Sequence, residues 1–388
     1  MWRSRLVSLF VHPSISPYAI GVPQLPGAFL HPNGIPLPTH QAGFRLSVLD
    51  LSPVPSGSTS RDALRNTLDL ARLTDQLGFT RYWLAEHHNT PLIASSSPEI
   101  MIAEVANVTR HLRVGSGGVM LPNHSPLKVA ETFRVLQALH PGRIDLGLGR
   151  APGTDPMTAL ALRRSREAVG ADDFPQQLDE LLAYLHGEQP KSALFQQIRA
   201  MPDDVPPPEI WILGSSDFSA QLSAQLGLRF AFAHHIQPWP AIAALNFYHQ
   251  NFKPSAGLRE PQSLIGVSVV CAETTERAEE LARSLELTLL RFRTGKRARL
   301  PTVAEATDYP YTDGDRLIMR ESRERFFVGS PDVVRDQLTS LAGHAGTWEI
   351  MITTMIHDHA ARRRSYELLA EAFGLSARPC REDAAKAD

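Results

Sequence analysis

The chain has 388 residues, 43% of them hydrophobic and 21% charged, with a formal net charge of −2. This is ordinary globular composition, and the near-neutral charge excludes nucleic acid or an anionic membrane as an electrostatic partner. The two cysteines, Cys271 and Cys380, have neither CxxC nor metal-ligand spacing, and no apolar run approaches the ~18 residues of a membrane span, so a cytoplasmic setting without disulfides is expected.

Residues 1–42 contain no Asp or Glu, carry Arg3 and Arg5, and hold many prolines from Pro13 to Pro38. A disordered extension, or a start placed too far upstream, is the expectation; a transit peptide or poor signal peptide is the rival. One domain is expected over residues 43–376, followed by a tail at 377–388.

From Phe44 onward, short apolar runs alternate with amphipathic stretches. Phe44–Leu51 reads as a strand. The helix after it has Leu64, Leu68, Ala71 and Leu77 near one face, Thr59 with Asp62 as a capping box, and Gly78 as its stop. Phe79–Ala85 is a strand, Pro98–Thr109 a helix and Leu112–Met120 a glycine-rich strand. Ser125-Pro126 opens a helix that runs to about Leu139. Arg143–Gly149 is the fourth strand.

Beyond it, Gln176–His186 is helical. Glu209–Leu213, Leu228–Ala233, Leu264–Ala272 and Trp348–Thr353 are strands. Helices are expected at Asp217–Leu226, about Pro240–Gln250, Thr275–Arg291, Pro331–Ala342 and Ala360–Phe373. Eight βα units argue for parallel strands closed into a single (β/α)8 barrel. Two long irregular stretches, Ala151–Pro175 and Phe292–Gly329, are insertions after strands 4 and 7.

Barrel chemistry belongs at the strand C-termini. Glu86-His87-His88-Asn89 follows strand two, Gly115-Ser116-Gly117-Gly118 strand three, Arg150 strand four, Gly214-Ser215-Ser216 strand five and His234-His235 strand six. Small residues ahead of a helix that contains Ser219 make an anion site from free N–H groups and hydroxyls, and Arg150 adds a charge-assisted bond. A phosphate is the natural ligand. The competing reading of Ser216 is a plain helix cap. The glycines after strand three reflect either crowding against the barrel wall or close approach to a flat ligand. Glu86, His87, His88, His234, His235 and His357 raise a metal reading. Adjacent strand residues face opposite ways, and strand one lacks the His-x-His of a metal hydrolase, so no metal is expected.

Four segments resemble the bacterial luciferase-like flavin monooxygenases: Tyr82-Trp83-Leu84-Ala85-Glu86-His87-His88, Arg113 to Pro122, Pro141 to Arg150, and Trp211-Ile212-Leu213-Gly214-Ser215-Ser216. The resemblance as a whole runs from about Phe44 to Leu375. The resemblance implies FMN at the strand C-termini, with Arg150, Ser215, Ser216 and Ser219 on its phosphate. It implies His87 as the active-site histidine, and Gly117-Gly118 as a frequent site of a non-proline cis peptide beside the flavin ring. Reduced FMN from a separate NAD(P)H:flavin reductase would react with O2 to a flavin C4a-peroxide that oxygenates a small organic substrate, with His87 as acid/base or hydrogen-bond donor. A homodimer is also implied, with helices two and three as the usual interface; positions such as Ile100, Val105, Val129 and Phe133 read equally as interface or as barrel-facing. One departure stands out: bacterial luciferases carry cysteine before the phosphate-binding arginine, where this chain has Gly149. The rivals are a deazaflavin (F420)-dependent dehydrogenase on the same fold and a non-catalytic flavin-binding protein.

Overall fold

The computed structural model describes residues 43–151, 153–165 and 173–377. The expectations for residues 1–42, and for the tail beyond Ala377, lie outside the described residues. The strands in chain order are β1 (Arg45–Asp50), β2 (Arg81–Leu84), β3 (Arg113–Ser116), β4 (Val119–Met120), β5 (Ile144–Gly149), β6 (Glu209–Gly214), β7 (Arg229–Ala233), β8 (Ser263–Cys271), β9 (Phe326–Gly329) and β10 (Glu349–Thr353). Eight of them pair in parallel in the order β1-β2-β3-β5-β6-β7-β8-β10, and β10 returns to β1. This is a closed (β/α)8 barrel.

Around it lie α1 (Ser60–Gln76), α2 (Pro98–Val108), α3 (Pro126–Leu139), α4 (Pro156–Arg163), α5 (Phe174–His186) and α6 (Asp217–Leu226). The second half adds α7 (Ala241–Asn251), α8 (Thr275–Arg293), α9 (Val303–Thr307), α10 (Asp313–Ser322), α11 (Pro331–Ala345) and α12 (His359–Ala372). The reciprocal Thr59–Asp62 capping box opens α1. Ser125 stands at the N-cap of α3 without a side-chain bond.

Period-2 alternation divides each strand between two cores. Leu46, Val48, Tyr82, Leu84 and Val114 face the helices. Leu49, Trp83, Trp211, Ala231, Leu264 and Met351 fill the barrel. Beneath them lies an ionic layer. Arg81 Nη1 meets Asp145 Oδ2 at 2.7 Å and Glu209 Oε2 at 3.0 Å, while its Nε meets Glu349 Oε1 at 2.7 Å. Arg113 takes the other Asp145 oxygen at 2.6 Å, and Arg229 approaches Glu209 at 3.5 Å. The Trp83 indole N–H donates to Asp145 Oδ2 at 2.9 Å, joining the two layers.

Two expectations are corrected. The strand expected over Leu112–Met120 is broken: Gly117–Gly118 is a cis peptide, and β4 beyond it pairs with the end of β5. A Cβ on Gly117 would lie 2.6 Å from Leu49 Cδ1, and one on Gly118 2.7 Å from the Gly147 carbonyl oxygen. Crowding against the wall therefore suffices to require both glycines. The stretch Phe292–Gly329 is also less irregular than expected. It contains α9, α10 and β9, and β9 pairs with the upper half of β8 from Ser268↔Phe326 to Cys271↔Gly329. Between Ala151 and Pro175, the described residues contain α4, capped by the Asp155 carboxylate.

Candidate active site

His87 follows β2 in a loop held by its own backbone, the His87 N–H donating to the Ser95 carbonyl at 3.0 Å. Its ring lines a cleft of about 460 Å³ together with Asn89, Ile93, Ser96 and Arg297. The Nδ1 atom is buried and has no hydrogen-bond partner. Burial pushes the His87 pKa down to about 4, His88 and His235 reinforce this, and the neighbouring Glu86 only partly opposes it. At neutral pH His87 is therefore an uncharged imidazole with one ring nitrogen uncommitted.

Glu86 points the other way. Its buried carboxylate accepts from the Met120 N–H at 2.8 Å and pairs with His88 Nε2 and His124 Nε2, each at 2.9 Å. Burial alone would raise its pKa, but the His124 contact and the other bonds hold it below the usual range. The same bond raises the pKa of His124. This cluster anchors the loop and leaves His87 to face the cleft.

The second histidine pair lies in the turn after β7, and its two rings part company. His235 Nδ1 lies 3.0 Å from the Gly266 carbonyl at the mouth. His234 stacks on Phe327 of β9, its ring centroid 5.5 Å away, with Nδ1 orphaned. Among the described residues, no three His, Cys, Asp or Glu side chains group to hold a metal ion. His357 instead meets the Ser56 carbonyl at 3.0 Å.

Burial pushes the His234 pKa down to about 4. A depressed folded pKa gives stability that is present above the unfolded value of about 6.5 and lost as pH falls through 4. His234→Phe keeps the ring stack and removes the orphan. Urea unfolding is expected to show a neutral or slightly stabilised variant at pH 7 and a clearly larger gain at pH 5. An equal effect at both pH values would exclude the titration.

The residues expected to cradle an anion sit at the β6–α6 turn. Ser216 occupies the N-cap position but makes no side-chain cap bond, so the plain-cap reading fails. Ser215 and Ser216 are partly exposed, whereas Ser219 is buried. Ser219 packs where a Cβ on Gly214 would stand, which explains that glycine. Arg150 is brought to the same helix start: its guanidinium lies 4.2 Å from the Phe218 ring centroid. Among the described residues it forms no ion pair with a carboxylate. Asp217 at the first turn accepts from the Phe218 N–H at 3.0 Å and competes for this end of the helix. Gly149, where the resemblance would place a cysteine, abuts Met120: a Cβ there would lie 2.8 Å from the Met120 Sδ.

Sequence reasoning missed the roof over the cleft. Arg297, from the stretch after α8, donates to the Asn89 carbonyl and to Asp155 Oδ2, both at 2.9 Å. Asn89 Nδ2 also reaches Asp155, at 3.1 Å. A pairing of Pro55 with Leu300 ties the same stretch to the loop after β1. Arg297 and Asn89 lie 208 positions apart, and no local pattern marks these contacts.

Of the positions that read equally as interface or as barrel-facing, Val105, Val129 and Phe133 are core, and only Ile100 is exposed. The exposed apolar residues on this side are Ile100, Val135, Leu139 and Met201. Helical packing against the barrel claims the others.

The profile of the luciferase-like monooxygenases matches residues 44–347. A luciferase-like monooxygenase of Escherichia coli K12 is 42% identical over 322 residues, 83% of this chain and 95% of that protein. The N-acetyl-S-alkylcysteine monooxygenase of Bacillus subtilis 168 is 32% identical over 330 residues, 84% of this chain and 98% of that protein. The crystal structure of apo-MsnO8 superposes with a TM-score of 0.79 at 41% identity, covering 87% of this chain and all of that one. The chain belongs to the luciferase-like monooxygenase family. Likeness of fold alone extends to two further structures. One is the FMN-bound oxygenating constituent of 3,6-diketocamphane monooxygenase from Pseudomonas putida (TM-score 0.61, 18% identity, 87% and 100% coverage). The other is an F420-dependent secondary alcohol dehydrogenase (TM-score 0.60, 11% identity, 86% and 99% coverage).

Proposed function

We propose that this chain is an FMN-dependent monooxygenase that takes reduced FMN from a separate NAD(P)H:flavin reductase and uses O2 to oxygenate a small organic substrate. The observation that carries the reading is the cradle at α6: a serine hydroxyl freed from capping, a helix N-terminus and the stacked Arg150 converge there. That donor set suits a phosphate. Arg150, Ser215, Ser216 and Ser219 would hold the FMN phosphate, and Gly117-Gly118 would leave the wall flat beside its ring. When bound, the reduced flavin supplies the electrons that activate O2. The protein's own part is to position the cofactor, exclude water and present the neutral His87 imidazole as a hydrogen-bonding or proton-holding group.

The deciding experiment is an anaerobic titration with photoreduced FMN, followed by mixing with air-saturated buffer. Tight binding and reoxidation distinct from that of free flavin are expected. Absence of binding would shift the assignment to the F420-dependent dehydrogenase. His87→Ala is expected to abolish coupled oxygenation and leave reduced-FMN affinity within about threefold of the native value. Unchanged product yield would remove His87 from the mechanism.

Association into a homodimer is part of the same reading. The exposed Ile100, Val135, Leu139 and Met201 support the faces of α2 and α3 as its interface. Sedimentation of Leu139→Glu against the native chain tests this, with dissociation expected.

A further inference from the structure

We infer that the cleft beside His87 selects a substrate bearing a carboxylate, and that Arg297 is the residue that recognises it. The anion site stands on the geometry of the cleft; its assignment to the substrate rests on the flavin reading above. Among the described residues lining the cleft, Arg297 alone carries a formal charge at neutral pH, because His87 is held neutral. The remaining polar lining, including Ser60, Asn89 and Ser96, is uncharged, so the guanidinium, paired on one side with Asp155 at 2.9 Å, is the one charged group among hydrogen-bonding walls.

Arg297 also has donors to spare. A guanidinium offers five N–H groups. One goes to the Asn89 carbonyl and one to Asp155 Oδ2, and no further protein partner is found among the described residues. Asp155 does not depend on Arg297. Its carboxylate also accepts from the backbone N–H groups of Met157 and Thr158, the Thr158 hydroxyl and Asn89 Nδ2. Arg297 can therefore share or exchange its bond to Asp155 without leaving a buried charge behind. A single guanidinium matches the planar, singly charged carboxylate.

The test uses the full-length chain and two probes of equal size, hexanoate and hexanamide, titrated by calorimetry at pH 7.5. Native protein is expected to bind the acid about tenfold more tightly than the amide, as suits a charged hydrogen bond. Arg297→Gln should reduce this preference to less than about twofold. Asp155→Asn keeps a capping side chain and removes the competing carboxylate, so hexanoate should bind more tightly than in the native chain. A purely structural junction would move both variants in the same direction. Equal affinity for acid and amide, a preference surviving in Arg297→Gln, or no binding of either probe would overturn the inference. Reduced-FMN affinity measured on the same samples separates the two readings. Loss of flavin binding with the acid preference intact refutes the cofactor assignment and leaves the anion site standing.

Discussion

An Arg81→Met variant is expected to lose about 3–5 kcal/mol of unfolding free energy, the cost of breaking a buried ion pair by removing one partner. Arg81 faces Asp145 and Glu349, whose side chains are wholly inaccessible. After substitution Asp145 keeps Arg113, but Glu349 keeps only the Ser47 hydroxyl at 2.8 Å and the half-exposed Arg45 at 3.4 Å. Removing the guanidinium also strips the Trp211 face, which it covers at 4.8 Å. Urea denaturation should show a lower midpoint with an unchanged slope. The double variant Arg81→Met with Glu349→Met should recover part of the loss, because an apolar pair replaces an orphaned charge. A single-variant loss under about 1 kcal/mol would mean that the layer is wet and contributes little.

The second large effect concerns the cofactor. Arg150→Ala should weaken reduced-FMN binding by about 10- to 100-fold, corresponding to about 1.5–3 kcal/mol for hydrogen bonds to a charged group. Reduced riboflavin, which lacks the phosphate, should bind native and variant protein alike. Arg150→Lys keeps the charge but not the planar stack on Phe218, so it should fall between the two. An equal loss for FMN and riboflavin would place Arg150 at the ring or in the fold, away from the phosphate.

Much of the barrel was legible because local signals agreed with one another. The Thr59–Asp62 box, the Ser125-Pro126 start and the left-handed Gly227 after α6 each mark a boundary in residue chemistry. The cradle was legible for the same reason, being contiguous in sequence apart from Arg150. What escaped was decided by tertiary contact. Phe326–Gly329 is a four-residue apolar run followed by Ser330-Pro331, the same start signal seen at Ser125-Pro126, but its neighbours gave it no strand periodicity. The cis peptide at Gly117–Gly118 is where the resemblance implied one, but the need for glycine on both sides comes from Leu49 and Gly147, which no local window contains. The ionic layer did leave a trace. Arg81, Arg113, Glu209, Arg229 and Glu349 each open their strand, and Asp145 stands second in its own. A charge at the same height in six parallel strands is a pattern that the alternation of apolar residues conceals.

That layer has a bearing on traffic. Its three arginines and three carboxylates neutralise one another, and Trp83 and Trp211 sit above them with almost no exposed surface. The barrel is thus a blind-ended vessel with a sealed floor. With the floor closed, the open end is the rim of strand C-termini, where His87 and Arg150 follow β2 and β5. On the flavin reading, product and spent cofactor would leave by the route the next substrate takes, and turnover would be a matter of queueing order at that rim as much as of chemistry within.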